Sequence, residues 1–583
     1  MTPLRSIFAL SAASLALAAS GLQAQTRDQI QGNLPDREQP DDSVALTLDT
    51  TLLSAPCPLS DPQFADMQFT LAQVQFDAPP AFDTRLLDSS WRSMAGQTIG
   101  LARVCEIRDR ASEELRDMGY LASIRVPPQT IDQGVVRLEV VLARLTGLVI
   151  RGEPGPNGEM VRRYFEDLRA APFFRRDLAE RKLLLARDIP GMDVRLSLTR
   201  DVGPDAQPGD LVGIVDVAAR RFEADLAVQN FSSDPVGPVG GALRVQLNGL
   251  TGMADLTEVS FYSTLDPSEQ TVLQGRHEFG LGSDGFRMGL GVVKAWTQPD
   301  VAGPDVFDAD TLVATLYASY PLVRRQTTST VLTGGFELID QSLDFTGVPI
   351  SEDNMRMLFA RLETSFLDRA SADGAGGYSP AEPRFSGGAA LEVRQGFDVL
   401  GASKPCGTGF ARCLLPTEIP LGRLDADPTP FVVRAEGRID YRPEPDWLFS
   451  LKPRAQFSLD PLLAYEQFSG GNFTTGRGYD PGSAVGDSGI GAQLELAYGS
   501  LLPSTPDGTA FQPFVFFDSF AAWSENVPGD PVTLNSIGGG VRVNFRRRAF
   551  FELIGAVPLE RGPLQATRGD ARLLFNLAVR LGK

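Results

Sequence analysis

The sequence predicts an α+β amino-terminal region followed by an all-β region that closes into a transmembrane barrel of about 16 strands. Two changes of pattern support this prediction. Apolar residues recur at helical spacing between about residues 67 and 220, and from about Phe222 onward a period of two replaces that spacing. The composition agrees, because 58 Gly, 42 Pro and 35 Phe in 583 residues are typical of many strands and turns.

The charge and the first residues indicate where the chain works. A formal net charge of -19 argues against a nucleic-acid partner. Arg5 precedes an apolar run from Ile7 to Ala19, and small residues follow up to Ala24, so residues 1–24 are predicted to be a secretory signal. No later stretch is long and apolar enough for a membrane helix, so we expect an exported chain that is soluble or held in a membrane as a barrel.

Residues 25–66 are predicted to be a tether. They are polar and rich in Pro, with the run NLPDREQPDDS in the middle, and such segments cannot bury enough apolar surface to fold. A short helix at the start of this segment is the alternative for its first residues.

Two small modules are predicted over residues 67–145 and 146–220, each with the order β-α-α-β-β. In the first, Ile107, Ala111 and Leu115 recur at helical spacing. In the second, a helical pattern is carried by Val161, Tyr164, Phe165 and Leu168. The strand edges of such modules can accept an extended peptide by adding a strand to the sheet, and the alternative is that the modules are spacers.

Residues 221–583 are predicted to form the barrel. Along one strand, Phe431, Val433 and Ala435 share one face, while Arg434 and Glu436 share the other. A soluble sandwich would also alternate in this way. Long strands, short turns that alternate with long loops, and aromatic residues at strand ends favour a membrane barrel with a polar lumen.

The four cysteines suit an oxidising compartment. Cys406 and Cys413 lie close together in KPCGTGFARC and are expected to close a loop, which leaves Cys57 and Cys105 as the second pair. Metal binding is the alternative, but neither pair has another pair or a His nearby, so no metal site is predicted.

The most informative stretch is the Gly-rich run from Glu466 to Gly489, at whose centre stand Arg477, Gly478 and Tyr479. When strands are counted back from the carboxy terminus, this run falls in the sixth loop on the outward side of the barrel. One interpretation is a solvated surface loop. The other is a loop that folds into the wet lumen and pairs its arginine with an inward carboxylate.

Several motifs of this chain together resemble one known family. EQFSGG, RGY and GDSG resemble its signature loop, PFVFFDSF over Pro513 to Phe520 resembles its barrel motif, and PPQTIDQGVVRLEVV and LLLARDIPGMDV resemble its two polypeptide-transport-associated (POTRA) modules. The chain is thereby identified as similar to the outer-membrane transporters of two-partner secretion, which export adhesins and haemolysins. The barrel-assembly proteins belong to the same superfamily.

The resemblance implies a fold, a function and a site. It implies two periplasmic POTRA modules, a 16-stranded outer-membrane barrel and a lumen pair between Arg477 and Asp518, with Phe516 in the same phase as Asp518. It also implies a large secreted exoprotein as partner and export without nucleotide, and a plug helix preceding the modules. Insertion into the membrane would depend on the barrel-assembly machinery.

No cofactor is expected, and the sequence contains no recognisable catalytic constellation or P-loop. The chain is therefore predicted not to be an enzyme. Two alternatives stay open: an assembly or insertion factor of the same superfamily, and a soluble secreted β-rich binding protein.

Overall fold

The computed structural model of the chain describes residues 25–32, 46–47, 57–300, 306–526, 529, 531–563 and 567–581. The predicted leader over residues 1–24 lies outside the described residues, as does most of the predicted tether. Two pieces of that tether are described, a helix α1 at Arg27–Gln31 and a short strand β1 at Leu46–Thr47. In the described part of the chain, no helix is long and apolar enough to cross a membrane.

The first module packs one α-helix on a three-stranded sheet. Its elements are β2 Gln68–Thr70, β3 Gln73–Asp77, β4 Thr98–Gly100, α2 Arg103–Asp117, β5 Ala122–Arg125 and β6 Val135–Leu142. Strand β3 pairs in parallel with β6, and β5 pairs with β6 in the antiparallel sense. The disulfide between Cys57 and Cys105 fastens α2 to the turn that precedes the module.

The first predicted helix of this module takes the 3-10 form, over Thr84–Ser90 and Arg92–Met94. Polar side chains explain the tighter winding. Asp83 accepts a hydrogen bond from the backbone of Arg85, and the Ser90 hydroxyl donates to the carbonyl of Leu87. Such local bonds compete with the regular α-helical ladder.

The second module repeats the topology of the first. Its elements are β7 Arg144–Glu153, α3 Gly158–Ala170, α4 Arg176–Arg187, β8 Met192–Arg200 and β9 Asp210–Ala219. Strand β7 pairs in parallel with β9, and β8 pairs antiparallel with β9. Both helices bury one apolar face against this sheet, and β1 lies in parallel beside β8.

Sixteen antiparallel strands then form a closed barrel. In chain order the remaining elements are β10 Phe222–Gln229, β11 Gly240–Asn248, β12 Leu256–Thr264, β13 Gln270–Leu281, β14 Phe286–Thr297, β15 Phe307–Arg324, β16 Thr328–Phe345, β17 Val348–Leu367, α5 Arg369–Ala372, β18 Phe385–Gly396, β19 Phe431–Tyr441, β20 Trp447–Ser458, β21 Phe468–Gly470, β22 Ala484–Gly486, β23 Ser488–Tyr498, β24 Thr509–Trp523, β25 Val532–Phe545, β26 Ala549–Pro558 and β27 Arg572–Arg580. Strands β21 and β22 form a separate hairpin inside a loop. The barrel closes where Asp225–Gln229 of β10 pairs with Asn576–Arg580 of β27.

Alternation along the strands separates a lipid side from a lumen side. In β24, Phe511, Val515 and Phe517 are exposed on the outer face, whereas Phe514 and Phe516 are buried inside. Several strands are longer than a bilayer crossing requires, and β17 reaches 20 residues. Because about 9–11 tilted residues cross a bilayer, part of the hairpin formed by β16 and β17 extends beyond the lipid.

The second module is fastened to the short turns of the barrel by charged side chains. Lys182 of α4, almost fully buried, donates to the carbonyl of Ser283 at 2.7 Å and to the carboxylate of Asp284 at 3.2 Å. Lys182 also donates to Asp167 of α3. Nearby, the Arg324 guanidinium makes two hydrogen bonds of 2.7 Å to Asp188. These contacts fix the orientation of the module relative to the barrel mouth.

The Asp167 carboxyl contributes to this contact in a pH-dependent way. Burial raises the pKa of Asp167, but hydrogen bonds from Lys182 and Ser283 outweigh burial and leave the pKa below its usual value. A carboxyl with a lowered folded-state pKa contributes its stabilisation above the unfolded-state pKa and loses it as the pH falls through the folded-state pKa. The contact is therefore complete at neutral pH and weakens in acid.

We expect Lys182→Met to loosen the second module from the barrel. The substitution keeps the length of the side chain but removes the ammonium that joins α3 to the turn at Ser283. Pulsed electron paramagnetic resonance between spin labels on α3 and β20 should show a broader distance distribution. The control is Glu159→Gln, which removes an ion pair with Arg162 on the surface of the same module. An unchanged distribution in Lys182→Met would contradict this role.

Candidate functional site

The loop between β20 and β23, residues 459–487, is the sixth loop on the side of the barrel opposite the modules, and it folds into the lumen. Its hairpin of β21 and β22 pairs Phe468 with Gly486. The Phe468 ring stacks on Phe520 of β24 with the centroids 5.2 Å apart. A Cβ atom on Gly470 would lie 2.6 Å from the Phe520 ring, so only glycine permits this approach. The loop is thus packed on the inner wall.

At the tip of this loop, Arg477 meets Asp518 of β24. The backbone N–H of Arg477 donates to Asp518 Oδ2 at 2.9 Å, Nε donates to the same oxygen at 3.0 Å, and Nη2 donates to Oδ1 at 2.7 Å. Arg477 is 8% exposed and Asp518 is 0% exposed. A fork of this kind is among the strongest and most directional of protein hydrogen-bond arrangements.

Asp518 does not act alone, because a second carboxylate bridges Arg477 to another cation. Glu495 of β23 accepts from Arg477 Nη1 at 3.1 Å and from Arg542 Nη2 at 2.9 Å. Arg542 also donates to Glu552 at 2.7 Å. The Arg477 guanidinium carbon lies 3.6 Å from the centroid of the Phe516 ring, a cation–π contact. Two guanidinium groups and three carboxylates therefore form a connected row across β23 to β26.

Gly478 and Tyr479 fix the tip on its other side. The Tyr479 hydroxyl shares its single proton between the carbonyl oxygens of Asn535 at 2.8 Å and Glu560 at 3.1 Å, and it accepts from the backbone N–H of Glu560 at 3.1 Å. A Cβ atom on Gly478 would lie 2.8 Å from the Cβ of Ser536 and 2.9 Å from the nitrogen of Pro558. The preceding Gly476 has a φ of +117°, which L residues rarely adopt. The small residues of the tip are therefore required by space and by backbone conformation.

A second charge cluster lies elsewhere in the lumen, and the sequence analysis did not find it. Arg394 of β18 is fully buried and donates to Glu466 at 2.8 and 3.0 Å and to Glu392 at 3.2 Å. It also donates to Glu337, and Arg434 donates to Glu466 at 2.8 Å. The signal was present, because Glu392 and Arg394 share the inward phase of one strand. Sequence alone does not say which strand across the lumen supplies the partner.

Helix α1, which is five residues long, lies in the lumen beside the second cluster. Thr26 caps it, and its Asp28 accepts from Arg454 of β20 at 2.8 Å. Arg27 donates to Glu392 at 3.3 Å, and Gln29 donates to the carbonyl of Pro481 in the inward loop at 3.2 Å. Ile30 is 0% exposed and belongs to an apolar cluster formed with inward strand residues. The helix thus fills part of the channel and contacts the loop.

The Cys406–Cys413 disulfide lies in the fifth outward-side loop, between β18 and β19. Both cysteines are buried in the same apolar cluster as Ile30 of α1 and Tyr465 of the inward loop. In the same loop, Arg423 donates to the fully buried Asp487. This loop therefore covers the lumen on the side away from the modules. Within the described residues no group of three or more His, Cys, Asp or Glu side chains is placed to hold a metal ion.

A comparison with family models decides which proteins the chain is related to. The model described as haemolysin secretion/activation protein ShlB/FhaC/HecB matches residues 211–543, more than half of the chain. The chain belongs to this family. A second model, for the ShlB-type POTRA domain, matches residues 69–142, which lie within the first module. Among curated proteins no significant match was found.

Two solved structures have a fold similar to that of this ShlB/FhaC/HecB-family chain. CdiB from Escherichia coli matches with a TM-score of 0.70 and 16% identity, covering 95% of this chain and 95% of that chain. CdiB from Acinetobacter baumannii matches with a TM-score of 0.64 and 15% identity, covering 98% of this chain and 97% of that chain. This ShlB/FhaC/HecB-family chain is thus a two-partner secretion transporter whose barrel lies in the outer membrane behind an N-terminal POTRA domain.

We expect a double-mutant cycle on Arg477 and Asp518 to show strong coupling. Asp518→Ala leaves Arg477 with Glu495 alone, and Arg477→Ala leaves Asp518 buried without its arginine; loss of a partner costs about 3–5 kcal/mol for a fully buried pair and less where water reaches. The double variant should lose less stability than the sum of the single variants. The measurement is the temperature at which the folded barrel band is lost on semi-native gels.

The control cycle uses Arg438 and Asp440, a neighbouring lumen pair at 2.7 Å whose arginine is half exposed. A pair with this exposure contributes roughly 0.2–1 kcal/mol, so its changes should be small. Strict additivity for Arg477 and Asp518 would show that their contact does not stabilise the barrel.

Gly478→Ala should displace the loop tip, because the added methyl group meets the backbone of Pro558, which cannot turn aside. Overpacking of this kind costs about 1–3 kcal/mol. Gly275→Ala is the matched control, since a Cβ atom on Gly275 of β13 would have nothing within 4 Å. Limited proteolysis of outer-membrane vesicles should cut residues 459–487 faster in Gly478→Ala alone. Equal cutting rates in both variants would contradict the steric argument.

Proposed function

We propose that this chain exports an unfolded exoprotein from the periplasm to the cell surface through the barrel lumen. The observation that carries the proposal is a polar channel filled by removable parts of its own chain. The loop tip at Arg477 and helix α1 are held in the lumen by ion pairs and hydrogen bonds, not by covalent bonds. Membership of the two-partner secretion family supports the same proposal.

The chemistry of the lumen suits the passage of a polypeptide. Charges of both signs line it, so an extended chain of mixed sequence would meet partners for its polar groups without a strong preference. On the side of the modules an open cavity of about 1090 Å³ remains, lined by residues that include Arg361, Glu436, Arg438 and Lys452. We propose that this cavity is the vestibule into which the exoprotein is first drawn.

Transport in this proposal needs no nucleotide, because the exoprotein enters unfolded and its folding outside biases its motion. The partner is a large secreted protein of the adhesin or haemolysin type. We further propose that residues 1–24 are the signal peptide, 25–66 the plug and tether, 67–145 and 146–220 the two POTRA modules, and 221–583 the barrel. Insertion of the chain into the membrane would rely on the barrel-assembly machinery.

The site residues have distinct roles in this proposal. Arg477, Gly478 and Tyr479 hold the inward loop against the wall, with Asp518 and Phe516 as the barrel side of the contact. Cys406 and Cys413 stiffen the outer loop, and Cys57 and Cys105 stiffen the first module. No residue in this scheme is catalytic and no cofactor takes part.

The direct test first searches the neighbouring reading frames for a large secreted β-rich protein, and then expresses that exoprotein with and without this chain in a host that lacks both. The exoprotein should reach the medium only when the transporter is present, and Arg477→Ala should reduce the secreted amount severalfold. The control is Arg369→Ala, which removes an exposed ion pair with Asp373 on α5, and outer-membrane amounts of each variant are measured in parallel. If the exoprotein is secreted equally without the transporter, the proposal fails.

Helix α1 is expected to limit conduction through the barrel. Ile30→Asp places a charge in the apolar cluster of the lumen, and its burial there is costly, so the helix should leave the channel more often. Single-channel recordings in planar bilayers should show a higher open probability than for the unmodified chain. Arg103→Ala, on an exposed helix position of the first module, is the control. An unchanged open probability for Ile30→Asp would indicate that α1 does not block the channel.

A further inference from the structure

We propose that the vestibule on the module side of the barrel selects an acidic segment of the exoprotein as the first part to enter. The inference deepens the proposed export function, on which it rests for the identity of the partner. Its physical basis is an excess of cations around one cavity of an otherwise acidic chain.

The lining of the vestibule has the opposite charge balance from the chain as a whole. Among the described residues that surround this cavity of about 1090 Å³ are eleven Arg and Lys and seven Asp and Glu. In the whole chain the order is reversed, with 54 Lys and Arg against 73 Asp and Glu. A cleft with walls of low polarity focuses the field of its charges, so this excess attracts anions into the cavity.

Every carboxylate of this lining already has an arginine beside it. The Arg361 guanidinium lies 3.2 Å from the Glu436 carboxylate, and the Arg438 guanidinium lies 2.7 Å from the Asp440 carboxylate. The other five carboxylates likewise lie within ion-pair distance of an arginine. The carboxylates are therefore engaged, and the excess of positive charge falls on the remaining cations.

Three of those cations have no carboxylate within ion-pair distance in the part of the chain that the structure describes. All three side chains are exposed. They are Arg325, Lys452 and Arg548. An entering carboxylate can pair with any of them without displacing a partner that is already in place.

These three cations are placed along the route of an entering polypeptide. Arg325 lies in the turn between β15 and β16, and Arg548 lies in the turn between β25 and β26. These turns are eight strands apart in a barrel of sixteen, so they lie on opposite sides of the mouth. Lys452 lies farther along the lumen on β20. A segment that enters thus passes between two cations and then reaches a third.

The second module joins the barrel at this mouth. Arg325 stands between two residues that contact the module, since Arg324 donates to Asp188 at 2.7 Å and the backbone N–H of Gln326 donates to the carboxylate of Glu180. A polypeptide that passes from the module to the lumen therefore goes past Arg325 first.

The charge bias acts on entry and not on later passage. Deeper in the lumen the cations and carboxylates are paired with each other, so the rest of the exoprotein needs no acidic sequence. Once the first segment is inside, neutral and basic segments follow it as parts of the same chain. The exoprotein is thus expected to carry clustered aspartate and glutamate in the segment that enters first.

The first experiment uses a fluorescent peptide of about 12 residues, which spans roughly 40 Å when extended, as the probe. Glutamate alternates in it with glycine and serine. The full chain is kept in detergent, and binding is followed by fluorescence anisotropy. The peptide should bind, and its affinity should fall as salt is added, because salt screens exposed charges. The same peptide with lysine in place of glutamate should not bind.

The variant Lys452→Gln/Arg548→Gln locates the binding. It removes two unpaired cations, and no described ion pair is lost, so the barrel should keep its stability on semi-native gels. Its affinity for the glutamate peptide should fall at least about threefold, because each exposed charge contributes modestly to pairing. The matched control is Arg110→Gln/Arg163→Gln, which removes two exposed charges from α2 and α3 of the modules and should bind as the unmodified chain does.

The second experiment measures the sign of the charge that governs the mouth. Reversal potentials in a potassium chloride gradient are recorded during channel openings in planar bilayers. The unmodified chain should conduct chloride in preference to potassium, and Lys452→Glu/Arg548→Glu should shift the reversal potential towards that of potassium. Arg110→Glu/Arg163→Glu should leave it unchanged.

Three outcomes would overturn the inference: equal binding of the glutamate and lysine peptides, an equal loss of affinity in the vestibule variant and its control, or a preference of the unmodified chain for potassium. These measurements involve no exoprotein and are separate from the secretion test. If they come out as expected but no exoprotein is exported, the proposed function fails and the anion-attracting cavity stands. If export occurs while the glutamate peptide does not bind, the exoprotein enters without the help of these cations.

Discussion

Every backbone N–H and C=O group that faces lipid has to be hydrogen-bonded. This requirement determines the rest of the structure. Strands satisfy that requirement only when the sheet closes, and here it closes where β10 meets β27. Closure gives every strand one face towards lipid and one towards water. Sixteen strands enclose a lumen that wall side chains alone do not fill, so other parts of the chain occupy it. These parts are the inward loop, α1 and the outer loop that is closed by a disulfide.

Charge balance decides how those parts are held. Arg477 and Arg394 are both buried, and a buried guanidinium is tolerable only when carboxylates surround it. Asp518 and Glu495 serve the first, and Glu466, Glu392 and Glu337 serve the second. The inward loop supplies Arg477 to one cluster and Glu466 to the other. A single loop therefore bridges two groups of barrel strands through ion pairs, in addition to the ring stacking of Phe468 on Phe520.

Much of this could be read from the sequence, and the reasons are physical. Period-two alternation specifies the barrel because each strand has only two faces, and a glycine run with one arginine indicates an inward loop that approaches the wall. The sequence predicts Arg477 opposite Asp518, and in the structure the Arg477 guanidinium donates to the Asp518 carboxylate at 2.7 Å. The alternation pattern does not reveal which residues face each other across the lumen. The partners of Arg394 come from three separate segments, and α1 is too short for helical periodicity to place it in the lumen.

The joint between β10 and β27, with five register pairs, is shorter than the joints on either side of it, which have eight each. It pairs the span Asp225–Gln229, whereas β15 and β16 are joined along most of their length, from Phe307 to Arg324. A closed sheet opens most easily between the two adjacent strands that are paired over the fewest residues. Here those are the first and the last strand. Heat or denaturant would therefore separate β10 from β27 first, and the long hairpins of the opposite wall would unfold last.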